Sequence, residues 1–216
     1  MFGKKIIPQK IKKKNINKLK LLGIDVIDNL PCIEIQPQRS AKDIATRCVI
    51  LAALLQLHFG APRDFIEKYI TDYKLIGSLS PIEKKILQKG YENLNEQEKV
   101  NFFWTIEAIW ALAWVGKKIN SLSFNTSADD TLVSMFPNFQ ESESPKKFID
   151  NFEIRSEKEI YIELDKFYRV HWFARNNKII GKKSPQADLD IIMERRKALE
   201  WAANSNEEWD EISLDT

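Results

Sequence analysis

Apolar residues recur at three- and four-residue spacing along most of the chain, and no segment alternates strictly between apolar and polar positions. That periodicity is the mark of helices packed on one face, not of strands. It predicts a short helix at about residues 10–22, stopped by Gly23. An extended stretch follows through Pro31 and Pro37, because each proline turns the residue before it away from helix. Ser40 then caps a helix at about 41–58, with Asp43 where a capping box carries Glu and an apolar face of Ile44, Cys48, Leu51, Leu55 and His58. Pro62 opens a helix at about 62–73. Ser80-Pro81-Ile82-Glu83 joins an N-cap, a first-turn proline and a third-position Glu, so a helix spans about 81–89 and ends at Gly90. Asn95 and Glu98 start the next, about 96–118, whose inward face reads Val100, Phe103, Trp104, Glu107, Ala111 and Trp114.

Residues 120–155 are rich in Ser and Asn, with short helical pieces near 128–135 and 145–151. They form the most loop-like part and the place for a mobile surface. A long helix is expected at about 156–177, with Ile160, Leu164, Phe167, Tyr168, His171 and Trp172 on one face, and a last helix at about 187–203. Trp209, in the tail, is expected to fold back onto the helices. The fold class is therefore all-α: a single globular multi-helix domain with bundle-like or two-layer orthogonal packing. Residues 1–37 read as a basic N-terminal helix and extended lead-in, and 38–216 as the helical domain.

At 216 residues, the chain is long enough to bury roughly 70% of its unfolded surface. With 44% hydrophobic residues and six Trp, it needs neither disulfide nor metal to hold a core. Cys32 and Cys48 are expected as reduced thiols, Cys48 as a small core residue. The longest apolar runs, 48–55 and 108–115, fall far short of the roughly 20 residues of a membrane span. The start carries no apolar h-region of a secretory signal, so a cytoplasmic protein is expected. Charge is uneven: eight Lys and no acid in residues 1–20, five acids and no base in 205–216. A basic arm is a possible nucleic-acid contact, yet no aromatic follows Phe2 within it, and the stacking platform of a single-strand binder is missing.

Candidate chemistry centres on buried-looking polar residues. Glu107 falls on an apolar helical face, where desolvation raises a carboxyl pKa unless a cation compensates. Arg47, beside the inward face of its helix, is its natural partner. Such a group is either half of a structural ion pair or a tuned acid or base. Asp165 and Arg169, four apart, share one helical face. His171 lies beside Trp172 with no nucleophile next to it. Arg195 and Arg196 reach inward to Asp165 or Glu107, or snorkel to water, and Asp210 is a possible acceptor for either. No cofactor-binding or nucleophile-elbow motif occurs, and no His or Cys stands at metal-ligand spacing.

Several segments together resemble the bacterial family catalogued as domain of unknown function 4272: Arg39-Ser40 leading into Asp43-Ile44-Ala45-Thr46-Arg47, then Leu79-Ser80-Pro81-Ile82-Glu83, Trp104 through Trp114, and Asp165 with Tyr168-Arg169-Val170-His171-Trp172. The most specific set is Glu194-Arg195-Arg196-Lys197-Ala198-Leu199-Glu200-Trp201 with Trp209-Asp210-Glu211 and Asp215-Thr216. The resemblance covers about residues 38–216, with Glu200 at a surface position where the family usually has Asn. It implies a helical bacterial domain and no activity. It also implies that Arg47, Glu107, Asp165, Arg169, His171, Arg195 and Asp210 form one network. Two functions are compatible with this sequence. One is a non-enzymatic protein-interaction module, an immunity-type or regulatory partner using residues 120–155 or a charged face. The other is an enzyme or small-ligand binder on that polar network, with Trp104, Trp110 or Trp172 lining its cavity.

Overall fold

The computed structural model describes residues 5–216; Lys4 of the basic arm lies outside them. Nine α-helices and three short 3-10 turns carry the described residues, with no strand among them. Helix α1 (Pro8–Leu21) places proline in its first turn, where the fixed φ suits a helix start and no N–H is missed. It buries Ile11, Asn15, Ile16 and Leu19 and leaves most of its lysines in water. Gly23, at φ +73°, closes it by letting the amide of Ile24 reach back to the Leu19 carbonyl.

Helix α2 (Ala41–Leu55) starts at Ser40, whose hydroxyl accepts from the Asp43 amide at 3.1 Å. From Arg47 to Leu55 every residue is buried, so α2 runs through the interior and not along the surface. It ends short of His58, which lies in the following turn with Nδ1 2.7 Å from the Tyr91 hydroxyl. Helix α3 (Arg63–Asp72) follows. Helices α4 (Pro81–Lys89) and α5 (Glu96–Phe103) each open on a reciprocal capping box, Ser80 with Glu83 and Asn95 with Glu98.

The single helix expected over 96–118 is two. After α5 the chain bends at Trp104 and continues as α6 (Thr105–Val115). Trp104 keeps right-handed helical angles, but the Glu107 amide bonds the Trp104 carbonyl three residues back, and the Thr105 hydroxyl donates to the Phe102 carbonyl at 2.6 Å. Val100 is exposed and Phe103 only half-buried, while Phe102 enters the core. Beyond it, every residue from Glu107 to Val115 is buried. The helix closes as Lys117, at φ +58°, lets the Lys118 amide reach back to the Ala113 carbonyl at 2.9 Å, and Gly116 leaves room for the Phe152 ring where a Cβ would stand.

Residues 117–155 hold one 3-10 turn (Asp130–Met135) and the short α7 (Lys146–Asp150). This stretch is tied down and not a loose surface. Leu122, Leu132, Phe139 and Phe152 are buried in the core. Arg155 donates to the Trp114 and Ile119 carbonyls, both at 2.8 Å, and the Tyr69 hydroxyl donates to the Glu143 carbonyl at 3.0 Å.

Helix α8 (Glu157–Ile179) opens on a third capping box, Ser156 with Glu159, and α9 (Leu189–Ala203) is capped by Asp188. The packing order runs α1 on α8, α8 on α9, α9 on α6 and α6 on α2, with α7 and α3 against α2. One hydrophobic core results, and the molecule is a single compact all-α domain. Burial on α8 is wider than one periodic face, because both α1 and α9 cover it: Tyr161, Asp165, Arg169, Val170 and Phe173 are buried as well. The C-terminal segment 204–216 returns across α9 and α4. It seats Trp209 edge-on against Trp201, ring centres 5.4 Å apart. Both cysteines are free thiols, and burial pushes that of Cys48 far up.

Candidate functional site

The seven polar residues expected to form one network fall into separate clusters. Arg47 does not meet Glu107. Its Nη1 donates to both carboxylate oxygens of Glu83, at 2.6 and 2.7 Å, and its Nη2 to the Ser78 carbonyl at 2.8 Å. Glu83 also accepts from the Ser80 amide at 2.7 Å, so one carboxylate caps α4 and binds α2. Glu107 pairs instead with Arg195, whose Nε and Nη2 lie 2.9 and 2.6 Å from Oε2. The rest of that guanidinium donates to the Ser123 and Thr126 carbonyls, and Glu107 Oε1 accepts the Ala128 amide at 2.9 Å. This pair therefore clamps the start of the long connection between α6 and α7.

Asp165 and Arg169 pair along α8, at 2.6 Å between Oδ1 and Nη2. Asn15 of α1 adds a bond to Asp165 Oδ2 at 2.9 Å, and Arg169 donates to the Pro31 carbonyl at 3.2 Å. His171 faces Arg196, with Nη1 2.8 Å from Nδ1. A guanidinium only donates, so Nδ1 is the acceptor and the ring proton sits on Nε2. Burial, then the Arg196 and Arg175 charges, hold the imidazole pKa down at about 4, and the ring is neutral. Arg196 also bonds Glu200 and the Leu214 and Asp215 carbonyls, which fastens the C-terminus. Glu200 is thus a half-buried partner of Arg196 and not a free surface position. Asp210 does not reach Arg195 or Arg196; its Oδ2 accepts the Ile82 amide at the start of α4, at 2.9 Å. Of the seven, only Arg47 and Asp210 line one cavity, and the others pair within the interior.

A larger cavity is lined by only one of the seven, Asp210. A half-open trough of about 1000 Å³ runs between α4 and α5 on one side and α9 with the C-terminal segment on the other. Leu51, Leu54, Ile82, Ile86, Leu94, Phe102, Met193 and Trp209 line it, with charged groups among them. Trp104, Trp110 and Trp172 do not. Most of its charges are satisfied within the protein: Glu83 by Arg47, Glu98 by Lys89 at 2.8 Å, and Asp210 by the Ile82 amide. Lys197 lies over the Trp209 ring, 5.0 Å from its centre. Glu194 is different, because it is half-buried in the trough with no ion pair or side-chain hydrogen bond to any described residue. Burial raises its carboxyl above the ordinary range, Lys197 draws it partly back, and the Glu107 and Asp190 charges add to the rise.

Sequence reasoning passed over Glu194, which was quoted only as a neighbour of Arg195. Its signal is positional. Ile191, Ile192, Arg195, Ala198, Leu199 and Ala202 take the core face of α9, leaving Met193, Glu194 and Lys197 together on the side that lines the trough. Trp209 and Asp210 divide the trough from a second cavity of about 380 Å³ beside Arg39, Arg47 and Trp201. There, Arg47 Nε and Trp201 Nε1 are buried donors with no partner among the described residues.

No three His, Cys, Asp or Glu side chains among the described residues cluster so as to hold a metal ion, and no helix there is long and apolar enough to cross a membrane. No curated protein and no solved structure matches this chain. A family model matches residues 11–212, so the pattern begins within α1, well before residue 38. That extent agrees with Asn15 of α1 bonding Asp165 of α8. With nearly the whole chain matched, from α1 to the tail that carries Trp209 and Asp210, the protein belongs to the family described as domain of unknown function (DUF4272).

Proposed function

We propose that this chain is a non-enzymatic binding module that docks a helical segment of a partner protein in the trough between α4, α5 and α9. The observation that carries the proposal is the trough itself: an apolar-walled, half-open cleft of about 1000 Å³, framed by three helices and floored by the core residues Leu51 and Leu54. Clefts between helices are where folds of this class present binding sites, and an amphipathic helix laid into an apolar groove is a recurring mode of recognition. An enzyme built on Arg47, Glu107, Asp165, Arg169, His171, Arg195 and Asp210 fits this geometry less well. Each carboxylate already accepts from an arginine or a backbone amide, and His171 accepts from Arg196. The setting we propose is the bacterial cytoplasm, as an immunity-type or regulatory partner; free thiols at Cys32 and Cys48 suit a reducing compartment.

The test is photo-crosslinking in native cells, with a benzophenone amino acid at Met193 in the trough or at the exposed Val133 in the 120–155 connection. A discrete protein adduct from Met193 and none from Val133 is expected. An adduct from Val133 alone would move the contact to residues 120–155 and overturn the trough as the docking surface.

A further inference from the structure

We infer that Glu194 is the anchor of the trough and receives the ammonium or guanidinium group of a lysine or arginine on the apolar face of the docking helix. The inference rests on the trough being the docking surface and adds the chemistry of the occupant. Among the carboxylates lining the trough, Glu83, Glu98 and Asp210 have partners within the protein, and Glu194 has none among the described residues. Its own helix sets one cation nearby, Lys197, which lowers the Glu194 pKa without forming an ion pair with it. Arg195 turns inward to Glu107, and Lys197 lies over the Trp209 ring.

A carboxylate half removed from water without a partner is unfavourable, and closing the trough over it with a neutral apolar face would make it more so. An anionic group set against Glu194 would be repelled there, although Lys85, on the α4 wall, also lines the trough with no ion pair to a described residue. A lysine or arginine solves both problems, because its alkyl stem packs along Leu54, Phe102 and Met193 while its head meets the carboxylate. Burial raises the Glu194 carboxyl above its ordinary range, and a cation set against it would bring it back down. Charge complementarity at one buried point also fixes the register of a helix that the apolar walls alone would let slide.

The test titrates the intact protein with n-hexylammonium, an alkylammonium with a longer stem than the lysine side chain, and with n-hexanol, followed by NMR at the Trp209 indole and the Met193 methyl. The ammonium is expected to bind at millimolar concentration, about tenfold tighter than the alcohol, as a charge-assisted bond warrants. Glu194→Gln is expected to abolish that preference while leaving hexanol binding intact. The wild-type comparison stands even if the variant folds poorly. Equal binding of both probes would overturn the anchor and leave the trough as a docking surface. No response at Trp209 or Met193 to either probe would overturn anchor and trough together. Retention of the free amine at micromolar concentration would assign the site to a small amine, overturning the partner side chain.

Discussion

Arg195 holds Glu107 at 2.6 Å with both side chains buried. Breaking such a pair from one side leaves a charge stranded in the interior. Arg195→Met is expected to destabilise the fold by about 3–5 kcal/mol in urea unfolding. Combining it with Glu107→Leu is expected to recover part of that loss. The Ser123 and Thr126 carbonyls and the Ala128 amide would still lack their partners, so recovery stays incomplete. A double variant that folds and still binds in the trough would fit a scaffold role for the pair.

His171 supplies a pH dependence with a definite sign. Its pKa is about 4 in the fold against 6.5 for an unperturbed histidine, so the unfolded chain binds more protons between those limits. Stability is therefore full above about pH 6.5 and falls as pH drops towards 4, by at most about 3 kcal/mol. His171→Asn keeps an acceptor for Arg196 and removes the titration. Urea midpoints measured over this range should fall less steeply in the variant than in the wild type.

Trp209 is buried against Trp201 and lies between Arg47 and Lys197, 5.2 and 5.0 Å from the ring centre. Trp209→Ala is expected to cost about 3 kcal/mol or more in urea unfolding. It also removes the wall between the two cavities. A crystal structure of the variant should show one continuous cleft, whereas Trp209→Phe should keep the division.

Gly116 has φ −76°, an ordinary value for any residue, so its requirement is steric and not conformational. Gly116→Ala drives a methyl into the Phe152 ring and is expected to lower stability by about 1–3 kcal/mol. Adding Phe152→Leu should relieve the clash, and thermal unfolding of the single and double variants reads the difference.

What the sequence carried well was local. The starts of α4, α5 and α8 each rest on a cap and a third-position Glu within four residues, and they lie where the pattern puts them. Asp165 with Arg169 is likewise a one-turn relationship, and it formed. What failed depended on elements distant in the chain. Arg47 chose Glu83 over Glu107 because α4, and not α6, brings a carboxylate to that face of α2. Asp210 went to the α4 amide because the tail crosses that helix start. The break at Trp104 is hidden in the sequence because Trp104 keeps helical angles and the apolar pattern runs on across it. Glu194 resembles any solvated helix glutamate until α4 and α5 stand opposite it.

The double duty of Glu83 makes one wall of the trough conditional. Helix α4 is nine residues long, too short to persist alone in water. The carboxylate that starts it is the same one that locks it to Arg47 on the interior helix α2. Fraying α4 therefore means releasing a buried arginine, so this wall stands only while the interior is assembled. On the docking reading proposed above, a partner would meet the trough only over an intact core, and a damaged or half-made copy of this chain would present nothing to bind.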